Sequence, residues 1–149
     1  VNAAGICSPG LSSAPAVALM VTDELKKAGL ELKGKAGFNP RRYHEKPFRE
    51  MDDAERRQAI ERDARYAYVV CRCETVTEAE IVAALHSPVP AATMDGIKRR
   101  ARAQMGRCQG GFCGPRIMEI ISRETGRPME EITKSGGGSW LVTGKGGAV

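Results

Sequence analysis

Aromatic residues are scarce in this chain: Trp140, three tyrosines and three phenylalanines make up 5% of 149 residues. Apolar content, at 42%, still suffices for a core. No apolar run reaches the roughly 18 residues a membrane-spanning helix needs, so none is encoded. The opening "VNAAGICSPGLSSAPAV" has no basic leader ahead of a long apolar stretch, and the expectation is that it is not a secretory signal. It also lacks a starting Met, and the expectation is a piece of something longer. No G-x-G-x-x-G turn, P-loop, Ser/His/Asp set or paired-carboxylate arrangement stands out. C-x-x-C is missing too, which argues against a catalytic dithiol pair. Histidines number two. His44 falls in a charged stretch and His86 at a helix end, and neither has a visible partner constellation.

What remains is charge and sulfur. The net charge of +5 is compatible with nucleic acid, an anionic surface or an anionic cofactor, and cannot choose among them. Five cysteines is an odd, unevenly spaced set, unlike a secreted disulfide framework. The expectation is a reducing, cytoplasmic compartment with free thiols.

The chain reads as three parts and a tail. In residues 1–36 a Gly/Ser/Pro loop leads into a helix, with Pro15 near its first turn. Val17, Met20, Val21, Leu25 and Ala28 form its apolar stripe, and Gly29 is its stop. Residues 37–65 are dense in mixed charge and read as a solvated linker ending in an exposed helix. That helix offers the i,i+4 pairs Asp52–Arg56, Asp53–Arg57 and Glu61–Arg65. Residues 66–142 form the compact part. "YAYVV" reads as a short strand, and Thr77 with Glu80 as a capping box for a helix bearing Ile81, Val82 and Leu85. A second helix carries Met94, Ile97, Ala101 and Met105 and ends at Gly106. A third opens at Pro115, carries Ile117, Met118, Ile120 and Ile121, and closes at Gly126. "PMEEITK" adds a short turn. Residues 143–149 read as a flexible tail, with Trp140 as a packing anchor ahead of it.

Four of the cysteines are clustered as Cys71-x-Cys73 and Cys108-x4-Cys113. Gly110, Gly111 and Gly114 crowd the second pair, where glycine lets backbone approach a bulky ligand and aim amides at it. Thiolates gathered together need a cation between them, which leaves zinc or an iron–sulfur cluster. Zinc sites mostly place two to four residues between paired cysteines, and a single intervening residue is awkward around one ion. A [2Fe-2S] unit is longer and tolerates more varied positions. In its oxidised state, with four thiolates, its charge is about −2. Lys98, Arg99, Arg100, Arg102 and Arg107 all precede Cys108, and helix N-termini after Cys73 and Cys113 add partial positive charge. Such surroundings favour the reduced state.

These stretches resemble a known family. "VVCRCETVTEAEIVAAL", "TMDGIKRRARAQMGRCQGGFCGPRI" and "GGGSWL" are similar to the [2Fe-2S]-binding domain of the bacterioferritin-associated ferredoxin type. More narrowly, they resemble the version that ends FAD-dependent, anaerobic glycerol-3-phosphate dehydrogenase-like oxidoreductases. The resemblance implies a mainly α fold, a small helix–turn–helix domain with the cluster in its loops, and Cys71, Cys73, Cys108 and Cys113 as the ligands. "GICSPGLSSAPAVA" is similar to the last FAD-contacting segment of those enzymes. By position this puts Gly5, Ser8, Gly10 and Leu11 near the flavin and leaves Cys7 as a free thiol. The implied whole is then the end of a flavoprotein domain, a charged linker and the cluster domain.

On that resemblance the chain is an electron-transfer module, not expected to be active by itself. The parent would oxidise glycerol 3-phosphate, or alternatively a 2-hydroxy acid. Its expected partners are the flavin domain and an acceptor protein or quinone-linked subunit, which could place it peripherally at a membrane. Nucleic acid is not expected as a partner. The rival reading is a zinc-stabilised helical module that binds a partner or nucleic acid through Lys98 to Arg107.

Overall fold

The structure is a computed structural model that describes residues 1–41, 45–142 and 144. His44 and, apart from Gly144, the expected tail lie outside the described residues. The chain divides into two units between residues 43 and 44.

The first unit is built on helix α1, Gly10–Lys27, which buries none of its residues. It starts well ahead of Pro15, so that proline lies inside the helix rather than in its first turn. The hydroxyls of Ser12 and Ser13 donate to the Pro9 carbonyl at 3.0 and 3.1 Å. The expected stop is where the sequence put it. Gly29 takes a positive φ of 88°, and its amide and that of Leu30 close back on the Lys26 and Leu25 carbonyls.

Among the described residues, the second unit holds four α-helices, α2 (Asp53–Arg62), α3 (Glu78–Leu85), α4 (Met94–Ala101) and α5 (Gly114–Thr125). A short antiparallel ribbon joins β1 (Val69–Cys71) to β2 (Val76–Thr77). Its register pairs Val69 with Thr77 and Cys71 with Val76, with an irregularity between. The fold class is therefore mainly α. The core is aliphatic: Ile81 from α3, Ile97 from α4, Ile117, Ile120 and Ile121 from α5, and Ile132 beyond it are all buried. Cys71 and Cys113 lie in the same cluster.

Local chemistry accounts for the helix ends. Thr77 and Glu80 form the expected capping box at α3. Glu80 extends it, since its second carboxylate oxygen accepts from the Phe48 amide at 3.0 Å. Cys113 is the N-cap of α5, proline follows at its start, and Gly126 closes it at φ 70°. α4, by contrast, ends at Ala101, short of the expected Gly106. Arg102 and Gln104 adopt left-handed φ values of 63° and 74° there. Ala103 is thereby fully buried, and the Gln104 side-chain amide donates to the Met94 carbonyl at 2.9 Å. Tertiary burial outweighs the helical period, and Met105 falls in the loop that follows.

The expected linker is also different from its reading. Phe48, Ala59 and Tyr66 pack with Ala79 of α3 in a second core cluster. The Phe48 and Tyr66 rings stack at 6.0 Å. The packed unit thus includes residues 45–65, which charge density alone assigned to solvent. Nor do the i,i+4 pairs carry α2. Asp52 caps it through the Ala54 and Glu55 amides, Arg56 pairs with Asp53 at 3.5 Å, and Arg65 with Asp63 at 2.8 Å. Trp140 anchors by backbone, bridging to Thr133, while its side chain is 59% exposed.

Candidate metal centre

Two loops build the site. After β1 the chain turns through Arg72–Thr75, where Thr75 has a φ of 50°. Cys71, still in the ribbon, points into the core, whereas Cys73 stands in the turn and is exposed. The second loop joins α4 to α5. Amides of Gln109, Gly111 and Gly114 bond to the Gly106, Cys108 and Gly110 carbonyls, winding Cys108 and Cys113 into successive tight turns. Cys113 is buried because it opens α5 against the core, and Cys108 is part-exposed.

The loops meet at Gly106. A Cβ there would lie 2.1 Å from Cys73 Cβ, so no other residue fits without moving the backbone. This contact brings Cys73 Sγ to 3.7 Å from Cys108 Sγ. Deeper, Cys71 and Cys113 are both buried in the main core cluster. All four cysteines line one cavity of about 750 Å³. Among the described residues, no three His, Cys, Asp or Glu side chains are gathered as one metal ion would need. The thiols stand as an outer pair and an inner pair.

Electrostatics differ between the pairs. Amides of Phe112 and Gly110, with the Cys73 thiol and the Gly111 amide behind them, hold Cys108 below the ordinary thiol range. Burial pushes the Cys113 thiol up to about 11, and the neighbouring Cys71 adds to it, against an opposing bond from the Gln104 amide. A buried thiol raised in this way needs a positive partner before it ionises. Four thiols on one cavity fit a cationic thiolate-bound group, and the cavity has room for more than one ion.

Sequence reading missed several lining residues. Arg72 and Arg116 share the cavity wall with Arg107, which the basic run did include, and with one carboxylate, Glu78. Glu78 is 6% exposed and is bonded by Arg116 at 3.3 Å and Arg123 at 2.7 Å. In the sequence it is simply the first residue of a capped helix. Phe112, 89% exposed on the rim, was legible as an aromatic set among glycines beside a ligand candidate. Conversely, much of the basic run lies off the cavity wall and is paired with other groups. Lys98 bonds Gln109 at 2.9 Å, Arg100 bonds Ser87 at 2.8 Å, and Arg102 bonds Glu74 at 3.1 Å. His86 caps α3 and pairs with Glu124 at 2.9 Å. Gly5, Ser8, Gly10 and Leu11 belong to the first unit, at the loop–helix junction, where Leu11 is 93% exposed.

The match to known families falls on the two loops. Residues 69–123 match a family described as the BFD-like [2Fe-2S] binding domain. Beyond that domain, the chain is 50% identical over 144 residues to a glycerol 3-phosphate dehydrogenase of Caloramator mitchellensis, covering 97% of this chain and 30% of that protein. Over 64 residues, 43% of the chain, it is 44% identical to hydrogen cyanide synthase subunit HcnB of Pseudomonas aeruginosa, covering 13% of it. Over 56 residues, 38% of the chain, it is 39% identical to anaerobic glycerol-3-phosphate dehydrogenase subunit A1 of Haloferax volcanii, covering 9% of it. The chain thus spans less than a third of the length of each of these relatives. No solved structure matches it. Among the described residues, no helix is long and apolar enough to cross a membrane.

Proposed function

We propose that this chain is the electron-transfer end of a larger flavin-dependent dehydrogenase, with Cys71, Cys73, Cys108 and Cys113 holding a [2Fe-2S] cluster. The single observation that carries the reading is the meeting of four thiols, from two separate loops, on one arginine-lined cavity inside the matched domain. When bound, FAD in the parent supplies two-electron oxidation of substrate and the cluster supplies one-electron relay.

The chain's own residues do the rest. Cys71 and Cys113, inside the core, hold their side of the site away from water. Cys73 and Cys108 reach the surface, which shortens the path to a partner. The nearby backbone amides of Phe112, Gly110 and Gly111 favour the thiolate of Cys108 and hold it below the ordinary thiol range. Arg72, Arg107 and Arg116 outnumber Glu78 on the wall and offset the charge that reduction adds.

Gly5, Ser8, Gly10 and Leu11 are proposed to meet the flavin in the parent, where a Gly/Ser loop entering α1 suits a polar or anionic group. The uncovered apolar side chains Leu19 and Met20 of α1 fit a segment that completes a larger domain. Similarity over 64 residues to a subunit of hydrogen cyanide synthase, named for a different reaction, argues that the shared stretch does not set substrate choice. Glycerol 3-phosphate is favoured because the relative similar over nearly the whole chain is named for it. The acceptor is proposed to be a protein or a quinone-linked subunit.

Anaerobic reconstitution of the chain with iron and sulfide tests the cluster. The expected product is brown, with about two irons and two sulfides per chain. Each of the four Cys→Ser changes is expected to lower the iron content or alter the redox signal. A colourless protein holding one zinc that iron and sulfide cannot displace would sink the reading in favour of a zinc-stabilised module.

A further inference from the structure

The thiol pairs indicate how the ligands divide between the two irons, an inference that rests on the cluster reading above. Neighbours in sequence suggest one grouping, Cys71 with Cys73 and Cys108 with Cys113. The geometry groups them otherwise. Cys73 Sγ and Cys108 Sγ are 3.7 Å apart. Two thiolates on one tetrahedral metal, with bonds of about 2.3 Å, stand about 3.8 Å apart. Cys71 and Cys113 are 1% and 3% exposed and share the main core.

The backbone explains the exchange of partners. β1 ends at Cys71, so the chain turns between Cys71 and Cys73 and sends one thiol inward and the other outward. In the second loop Cys108 sits on glycine-rich turns near the surface, while Cys113 opens α5 against the core. Each loop therefore contributes one inner and one outer sulfur. Gly106 locks the outer pair, because its missing side chain is what allows Cys73 so close to the second loop.

We propose that one iron, nearer solvent, is held by Cys73 and Cys108, and the other, nearer the core, by Cys71 and Cys113. Neither loop then holds an iron by itself, and the single residue between Cys71 and Cys73 never has to span one ion. The cluster staples the ribbon turn to the α4–α5 loop, so loading is expected to lower amide exchange in both loops together.

The test uses the full chain loaded anaerobically with iron-57 and sulfide, as wild type and as two double variants, Cys73→Ser/Cys108→Ser and Cys71→Ser/Cys108→Ser. Each is reduced with dithionite and read by Mössbauer spectroscopy. Serine oxygen is a harder ligand than thiolate and favours ferric over ferrous iron. In Cys73→Ser/Cys108→Ser both oxygens fall on one iron, so the ferrous doublet should match that of an all-sulfur site, as in wild type. In Cys71→Ser/Cys108→Ser each iron carries one oxygen, and the ferrous doublet should shift. An oxygen-shifted ferrous doublet in Cys73→Ser/Cys108→Ser overturns the pairing while leaving the cluster reading intact.

Should the double variants fail to load, metal-free wild type decides the point through its sulfur neighbours. Diamide takes two thiol hydrogens, becomes the hydrazine and leaves one disulfide. Peptide mapping should find Cys73 joined to Cys108, and a predominant Cys71–Cys73 or Cys108–Cys113 link overturns the pairing. A wild-type chain that takes up no iron at all overturns the cluster reading, and with it the assignment of irons, a result distinct from a shifted doublet.

Discussion

At Gly106 a hydrogen atom decides whether two loops meet. Its replacement by alanine would drive a Cβ to 2.1 Å from that of Cys73. Gly106→Ala is therefore expected to lose most of its iron in anaerobic reconstitution, with the loss read as absorbance and iron per chain. Gly126→Ala is the matched control. Its φ of 70° makes alanine strained, at a cost of about 1 kcal/mol, yet it closes α5 at the far end from the thiols. That variant should melt earlier and load normally. The glycines were visible in the sequence as a crowd around Cys108 and Cys113. Gly106 itself was read as a helix stop, because its close contact is with a residue far away in the chain.

Helix ends were the most legible elements, since a cap is a property of a few adjacent residues. Thr77 and Glu80 were readable as a box for that reason. The sequence could not reveal that Glu80 also receives the Phe48 amide. Glu80→Ala is expected to cost about 1–3 kcal/mol, as a part-buried charged acceptor is lost from two partners. Glu80→Gln, which keeps an acceptor, should cost less, and denaturant melts of both variants check this. At α4 the Met94 and Asp95 amides bond to the Thr133 and Lys134 carbonyls, and Lys134 Nζ lies 2.9 Å from Asp95. The Lys134 side-chain bond holds Asp95 below the usual carboxylate range. With its folded value below the unfolded one, Asp95 stabilises the fold above about pH 4. This contribution fades as pH falls through the folded value. Asp95→Asn should therefore melt below wild type at pH 7, by under about 1 kcal/mol for a surface pair, and the gap should close as pH falls through the folded value.

For the whole molecule, the packed second unit begins earlier than composition implies. A chain starting at residue 66 would lose Phe48 and Ala59 from the second core cluster and leave Tyr66 and Ala79 uncovered. By comparison with large-to-small aromatic changes, that loss is expected to cost about 3–5 kcal/mol. A chain of residues 45–142 should melt cooperatively and load like the full chain, whereas residues 66–142 should be markedly less stable, as thermal melts of the two will show. Charge around the cavity is also collective. Arg107→Gln and Arg116→Gln should each lower the midpoint potential by on the order of tens of millivolts, as expected for a partly screened charge. Arg100→Gln, whose guanidinium faces Ser87, should leave it unchanged in the same redox titration.

The sequence by itself determined the helical periods, the caps and stops, and the spacing of four thiols among glycines. All of these are encoded within a few residues of one another, where local sterics and hydrogen bonding decide. Only the tertiary structure decided that α4 stops at Ala101, because burying Ala103 and satisfying Gln104 outweigh another helical turn. It likewise turned a charged linker into packed structure through Phe48 and Tyr66. It also chose which arginines face the thiols, and set Cys73 against Cys108 rather than against its neighbour Cys71. Those outcomes depend on contacts between residues far apart in the chain, and no local pattern carries that information.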